Sequence, residues 1–145
     1  MKEEIIYRVA SAALEIETAQ KIRQEVFVKE QGIPEELEID GDDDSSIHML
    51  ALASNQQIIG TGRLTIHADF GILSRISVIE SYRNKGIGKH ILSELEKIAR
   101  QNNLLSLTLS PHSHLEEFYK SLGYQKDGEG KVVGKYSLLS MTKQL

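Results

Sequence analysis

Residues 74–99 read SRISVIESYRNKGIGKHILSELEKIA, and the hydrophobic period changes inside them. Up to Ile79 the apolar residues follow the pattern of a strand. From Ile87 they recur at three- and four-residue steps, at Ile87, Ile91, Leu95, Ile98 and Ala99, which predicts an amphipathic helix of about four turns. Between strand and helix lies a short turn, Arg83-Asn84-Lys85-Gly86-Ile87-Gly88. The first N–H groups of a helix have no internal partner and carry partial positive charge. Glycines there let an anion approach the backbone, and Arg83, Lys85 and Lys89 add formal charge. The stretch therefore predicts a cradle for a pyrophosphate group. A plain strand-to-helix connection would use the same glycines, so the turn alone leaves both readings open. It lacks the G-K-[ST] of a nucleotide loop, and Ile91 stands where the dinucleotide fingerprint has its third glycine.

Working outward, residues 4–9 predict a short strand and residues 17–31 a helix, with Ile22 and Val26 at helical spacing and Gly32 and Pro34 ending it. IPEELEIDGDDDSS reads as a loop with one helical turn after Pro34. Residues 47–54, 57–68 and 71–80 predict three strands of an antiparallel meander, with a tight turn at Asn55-Gln56. Downstream, LLSLTL (104–109) reads as a strand covered on both faces. SHLEEFYKSLGY predicts a second helix capped at Gly123, and KVVGKYSLLSMTK holds one or two further strands. The order β-α-β-β-β-α-β-α-β predicts a mixed α/β sheet with a strand–helix–strand crossover in its second half. No repeat or linker divides the 145 residues, so a single domain over 1–145 is expected.

Composition narrows the function classes. Seventeen bases against 21 acids give a net charge of −4. Seven of the acids, Glu35, Glu36, Glu38, Asp40, Asp42, Asp43 and Asp44, crowd into ten residues that hold no base, so the rest of the chain is mildly basic. Nucleic-acid binding is not expected, because phosphate affinity needs a concentrated basic face. The acidic segment reads either as a solvated surface loop or as a funnel for a cationic amine. The chain has no cysteine, which excludes disulfides, thiolate zinc sites and a cysteine nucleophile; no metal is expected. No apolar run approaches the ~20 residues of a membrane helix. The start, MKEEIIYRVASAALEIE, has acids on both sides of a short apolar patch, unlike a secretory signal. A cytoplasmic protein with no membrane association is expected.

The Arg83–Gly88 turn resembles the acetyl-CoA motif of the GNAT superfamily of N-acyltransferases, R/Q-x-x-G-x-G/A, placed between the fourth strand and the long third helix. Phe118-Tyr119-Lys120-Ser121-Leu122-Gly123-Tyr124 resembles the family's second signature, an aromatic-Tyr-x-x-x-Gly-aromatic helix. IRQEVFVKEQGIPEELEIDGDD is similar to a subgroup of small, mostly uncharacterised bacterial GNAT proteins, as is PHSHLEEFYKSLGY. In the latter, His112 replaces the subgroup's usual polar amide and Leu115 its small residue. The subgroup's Pro-His pair before the last strand is absent, and Gly134-Lys135-Tyr136 occupies that region.

The resemblance implies a mostly antiparallel central sheet with helices on both faces and splayed fourth and fifth strands. Acetyl-CoA would enter as co-substrate. Its pantetheine arm would pair with the backbone of Ile76, Ser77 and Val78, and its pyrophosphate would sit at Arg83, Asn84, Lys85, Gly86, Ile87, Gly88 and Lys89. Backbone N–H groups near Val78 would polarise the thioester. Tyr119 matches the family's general acid, with Phe118 beside it read as a core aromatic. The acceptor would be the primary amine of a small molecule or peptide; a homodimer is left open. A general base is not evident: Glu25, Glu30, His48, His67 and Glu80 are candidates, each with a structural or solvated alternative, and a water chain would serve as well. Three other readings compete: a non-catalytic CoA-binding module, an acyltransferase like the acyl-homoserine-lactone synthases, and a protein-interaction domain using the acidic loop.

Overall fold

The computed structural model describes residues 3–145; Met1 and Lys2, the start of the segment read as lacking a secretory signal, lie outside the described residues. Strand β1 (Ile6–Val9) leads into α1 (Ala13–Arg23). The helix predicted over 17–31 thus starts earlier, and from Gln24 to Glu30 it widens into a π-helix. A π turn holds one residue more than an α turn, so it rotates the side chains that follow about the axis. The helical turn after Pro34 is present as α2 (Glu35–Glu38). Strands β2 (Ile47–Leu52), β3 (Ile58–His67) and β4 (Phe70–Val78) form the predicted antiparallel meander. Helix α3 (Ile87–Gln101) crosses over to β5 (Ser106–Leu109), which is parallel to β4. A 3-10 turn (Ser113–Leu115) precedes α4 (Glu116–Ser121), and the chain ends in the hairpin of β6 (Gln125–Val133) and β7 (Tyr136–Gln144). All seven strands join one sheet in the order β1-β2-β3-β4-β5-β7-β6.

Alternation along β2 sorts the two layers. Met49, Ala51 and Ala53 face α3, whose Ile91, Leu92 and Leu95 are buried with them; Leu50 and Leu52 face Ala19 of α1 on the opposite side. Close approach of α3 depends on Gly62 of β3. A Cβ there would lie 2.6 Å from Ile91 Cγ2 and 3.1 Å from Leu95 Cδ1, so a side chain would push the helix off the sheet.

The expected splay is present, and two features cause it. Parallel pairing of β4 with β5 is confined to Phe70–Ile72 against Ser106–Thr108. Beyond it, β4 carries a bulge: the register against β3 shifts between Thr61 and Arg63, and Arg75 has φ +58. A bulge bends its strand and raises the local twist. On the other side, β5 stops at Leu109, and buried Pro111 has no N–H with which to continue a ladder. Leu73–Val78 therefore keep one backbone edge without a β5 partner.

Candidate functional site

Two cavities open along that unpaired edge. One, about 320 Å³, lies between the end of the π-helix and the β5–α4 connection; Gln31, Ile76, His112 and Tyr119 are on its wall. The other, about 330 Å³, lies toward the start of α3, with Ser77, Val78, Arg83 and Gly88 on its wall. Gln31 and Ile76 line both, so the two are halves of one cleft that follows β4.

At the α3 end, Gly86 begins the helix with φ +77, a left-handed conformation that disfavours a Cβ. No side chain caps this N-terminus, and its first turn has no acidic residue. Helix starts usually carry Ser, Thr, Asp or Asn for both purposes, so here the free N–H groups remain available to an anion. Gly88 is on the cavity wall. The Ile87 side chain is core, with 4% exposure, and only its backbone faces outward chemistry. Arg83 stands on the cavity rim. Its Nε donates to the Val78 carbonyl at 2.9 Å, and its guanidinium pairs with Glu30 at 2.8 Å. Asn84, Lys85 and Lys89 are exposed around the helix start and are not on the cavity walls; Lys85 Nζ lies 5.0 Å from the centre of the Tyr82 ring.

Two buried polar atoms along the cleft have no partner among the described residues: Ser77 Oγ and Gln31 Oε1. Buried polar groups are nearly always hydrogen-bonded, and an orphan costs about 1–3 kcal/mol. Gln31 lines both cavities and Ser77 the one at the α3 end, so each orphan lies where an occupant of the cleft could reach it.

Tyr119 lies at the opposite end. Its ring packs against the core, edge-on to Tyr124 with centroids 5.9 Å apart, and it also lines the cleft. Burial raises its phenol above the ordinary value of 10, so the group is protonated at neutral pH and able to donate. Phe118, expected in the core, is instead 42% exposed. Neighbouring helix positions point about 100° apart, and only one of the two can face inward.

The base candidates separate. His48 is buried and donates from Nε2 to the Asp43 carbonyl at 2.9 Å. His67 is exposed and stacks on Phe70. Glu25 pairs with Lys29 at the surface, and Glu80 is exposed. Of the five, Glu30 alone reaches the cleft wall, where it is bound to Arg83. Gln31, His112 and His114 also line the cleft and were not among the candidates. The signal for the two histidines was their place just past the end of β5, where a parallel pair separates; such switch points are where open α/β sheets bind ligands.

The acidic loop is solvated only in part: Glu35, Glu36 and Asp44 are exposed. Glu38, Asp40 and Asp43 turn inward onto Arg23, Arg63 and Arg75. Arg23 and Arg63 are 1% and 3% exposed and Glu38 is 3% exposed. Arg23 forks onto Asp43 at 2.9 and 3.1 Å and also bonds Glu38; Arg63 forks onto Asp40 at 2.9 and 2.6 Å. The Arg63 bonds hold Asp40 down at about 2. Burial alone would raise Asp43, yet bonds from Arg23, Gln20 and Arg63 outweigh it and hold that carboxyl below its ordinary value. This balanced cluster ties α1, the loop, β3 and the β4 bulge together behind the cleft. The Arg75 guanidinium also donates to the carbonyls of Leu37 and Glu38, which fixes the bulged residue from outside the strand.

Comparison with known proteins agrees with this architecture. The acetyltransferase (GNAT) domain family matches residues 12–145. The uncharacterised N-acetyltransferase YjcF of Bacillus subtilis (strain 168) is 34% identical over 117 residues, 81% of this chain and 83% of that protein. An acyl-CoA N-acyltransferase from Pseudomonas aeruginosa superposes with a TM-score of 0.85 at 22% identity, covering 98% of this chain and 99% of its own. A GNAT family acetyltransferase from Elizabethkingia anophelis, solved with acetyl-CoA bound, superposes at 0.79 and 19% identity over 99% of this chain and 100% of its own. At those identities the two structures speak for the fold; the family match and the relative go further, and with the split sheet and open helix start they place the chain in the GNAT acetyltransferase family.

Proposed function

We propose that this chain transfers an acetyl group from acetyl-CoA to a primary amine of a small molecule or peptide, as one domain acting in the cytoplasm. The observation that carries the reading is the uncapped α3 N-terminus opening into the split between β4 and β5, with Ser77 Oγ buried and unpartnered beside it. On this reading the N–H groups of Ile87, Gly88 and Lys89 take the pyrophosphate, with Arg83, Asn84, Lys85 and Gly86 around it. The free edge of Ile76, Ser77 and Val78 takes the pantetheine arm by adding it as a strand. Tyr119 protonates the departing thiolate. Arg83 is held by Glu30 and Val78 in the free protein, so binding of the phosphates involves exchange of one anionic partner for another.

Arginines neutralise Glu38, Asp40 and Asp43, which leaves a cationic acceptor drawn in by the acids resting on Glu35, Glu36, Asp42 and Asp44 alone, so the amine is proposed without that restriction. Calorimetry with acetyl-CoA tests binding, and free-thiol release over a panel of polyamines, amino sugars, amino acids and peptide N-termini tests transfer. No acetyl-CoA binding by the wild-type protein ends the proposal. Binding without thiol release to any amine replaces it with a CoA-binding module.

A further inference from the structure

The acyl-transfer reading leaves one proton without a destination, and the acceptor half of the cleft holds a group to take it. We propose that the His112 imidazole is the base that deprotonates the acceptor ammonium, an inference that rests on the function proposed above. His112 sits just past β5 on the wall that also carries Tyr119. Its backbone is fixed by a bridge to Leu138 of β7, while the neighbouring Pro111 carbonyl accepts from Leu139 N–H at 2.8 Å. The imidazole lies flat on Tyr136, with centroids 4.4 Å apart and planes 19° apart. Stacking uses the ring faces and fixes the plane; it leaves both ring nitrogens on the free edge.

The surroundings keep this ring neutral. Burial comes first, and His114 on the following turn, with its ring 5.6 Å away, adds to it; both lower the imidazole below its ordinary 6.5. Arg75 on β4 and Tyr119 on α4 share the cavity wall. From the β7 side come Tyr136 and Lys135, whose Nζ is 5.5 Å from the centre of the Tyr136 ring. Among the described residues, no Asp or Glu lines this half of the cleft to favour an imidazolium. His114 is exposed and lacks the stack on Tyr136.

The protons balance. An ammonium N–H bond breaks and its proton goes to a His112 ring nitrogen. The freed lone pair forms the C–N bond at the thioester carbonyl carbon. The C–S bond breaks, and sulfur keeps the electron pair and takes the Tyr119 proton. The tyrosinate recovers a proton from the new nitrogen, which retains one as an amide. His112 returns its proton to water.

Two probe nucleophiles separate this role from a structural one. Ethylamine is almost wholly ammonium at neutral pH, whereas hydroxylamine is already unprotonated and needs no base. His112→Asn should slow thiol release to ethylamine by roughly 10²- to 10⁴-fold. It should leave the hydroxylamine rate and acetyl-CoA affinity unchanged and remove the acid limb of the ethylamine pH profile. His112→Gln should behave alike. Equal loss with both nucleophiles, or no loss with either, overturns the assignment. An NMR titration of the His112 ring proton needs no acceptor: a neutral ring at neutral pH in the acetyl-CoA complex supports the proposal, and an imidazolium overturns it. A wild-type protein that binds no acetyl-CoA, or releases no thiol to any amine, removes the acyl-transfer reading itself, a result distinct from the variant outcomes.

Discussion

The hydroxyl of Tyr119 is one atom on a ring that is otherwise part of the core. Tyr119→Phe keeps the packing and removes the proton, so turnover should fall roughly 10- to 10⁴-fold. Acetyl-CoA affinity and melting temperature should move little; full activity in this variant would make Tyr119 a packing residue only. At the other end of the cleft, Gly88 is a cleaner probe than Gly86. A Cβ on Gly88 would meet Ile76 and Val78 methyls at 3.8 and 3.9 Å, an ordinary contact, while Gly86 has φ +77 and would be strained by any side chain. Gly88→Asp should therefore fold normally by circular dichroism and lose most of its acetyl-CoA affinity by calorimetry, since it places bulk and negative charge at the helix start. Retained affinity would move the pyrophosphate elsewhere.

At the level of elements, the ion cluster is the joint between α1, the acidic loop and the bulged strand. Glu38 is the buried partner of Arg23. Glu38→Gln leaves that guanidinium with Asp43, shared with Arg63, as its remaining anionic partner, which should lower unfolding free energy by about 1–3 kcal/mol, the range for a weakened buried hydrogen bond to a charged group. Urea denaturation measures it, and a loss below 1 kcal/mol would show the joint to be loose. Asp42 and Asp44 make no salt bridge with a described residue, whereas Asp43 makes two. Replacing all three acids by Asn together therefore confounds folding with charge; the Asp42→Asn/Asp44→Asn double variant isolates charge and should keep wild-type stability.

For the molecule as a whole, the same cluster sets acid tolerance. Asp40 and Asp43 are held lower in the folded chain than their ordinary 3.8. A depressed folded value contributes stability that is fully present above the unfolded value and is lost as pH falls through the folded one. Stability should thus hold to about pH 4 and decline toward pH 2, where Asp40 titrates at about 2. Asp43→Asn should be destabilised at neutral pH and converge on the wild type at the acid end. Melting temperature against pH, with urea at two pH values, checks this. A constant difference across the range would mean that Asp43 acts through hydrogen bonds alone.

Local chemistry wrote much of this into the chain. The change of period at the Arg83–Gly88 turn, the glycines and the repeat from Ile87 to Ala99 are short-range features, and each determined its element and the open helix start without help from the rest of the molecule. Pro111 and the apolar run of 104–109 did the same for β5 and its end. The strand covers only Ser106–Leu109, however, with burial alternating along it, and Leu105 before it is 60% exposed, so the run is not covered on both faces as its composition suggested. What pairs across long separations was decided only by the tertiary structure. Nothing local distinguishes Asp43, packed on Arg23 and Arg63, from Asp42 or Asp44 in the same acidic run. The left-handed Arg75 held by Leu37 and Glu38 carbonyls and the stack of His112 on Tyr136 are likewise settled by contacts between distant segments. Sequence fixes what each segment prefers by itself, whereas burial and charge pairing depend on which segments the fold brings together.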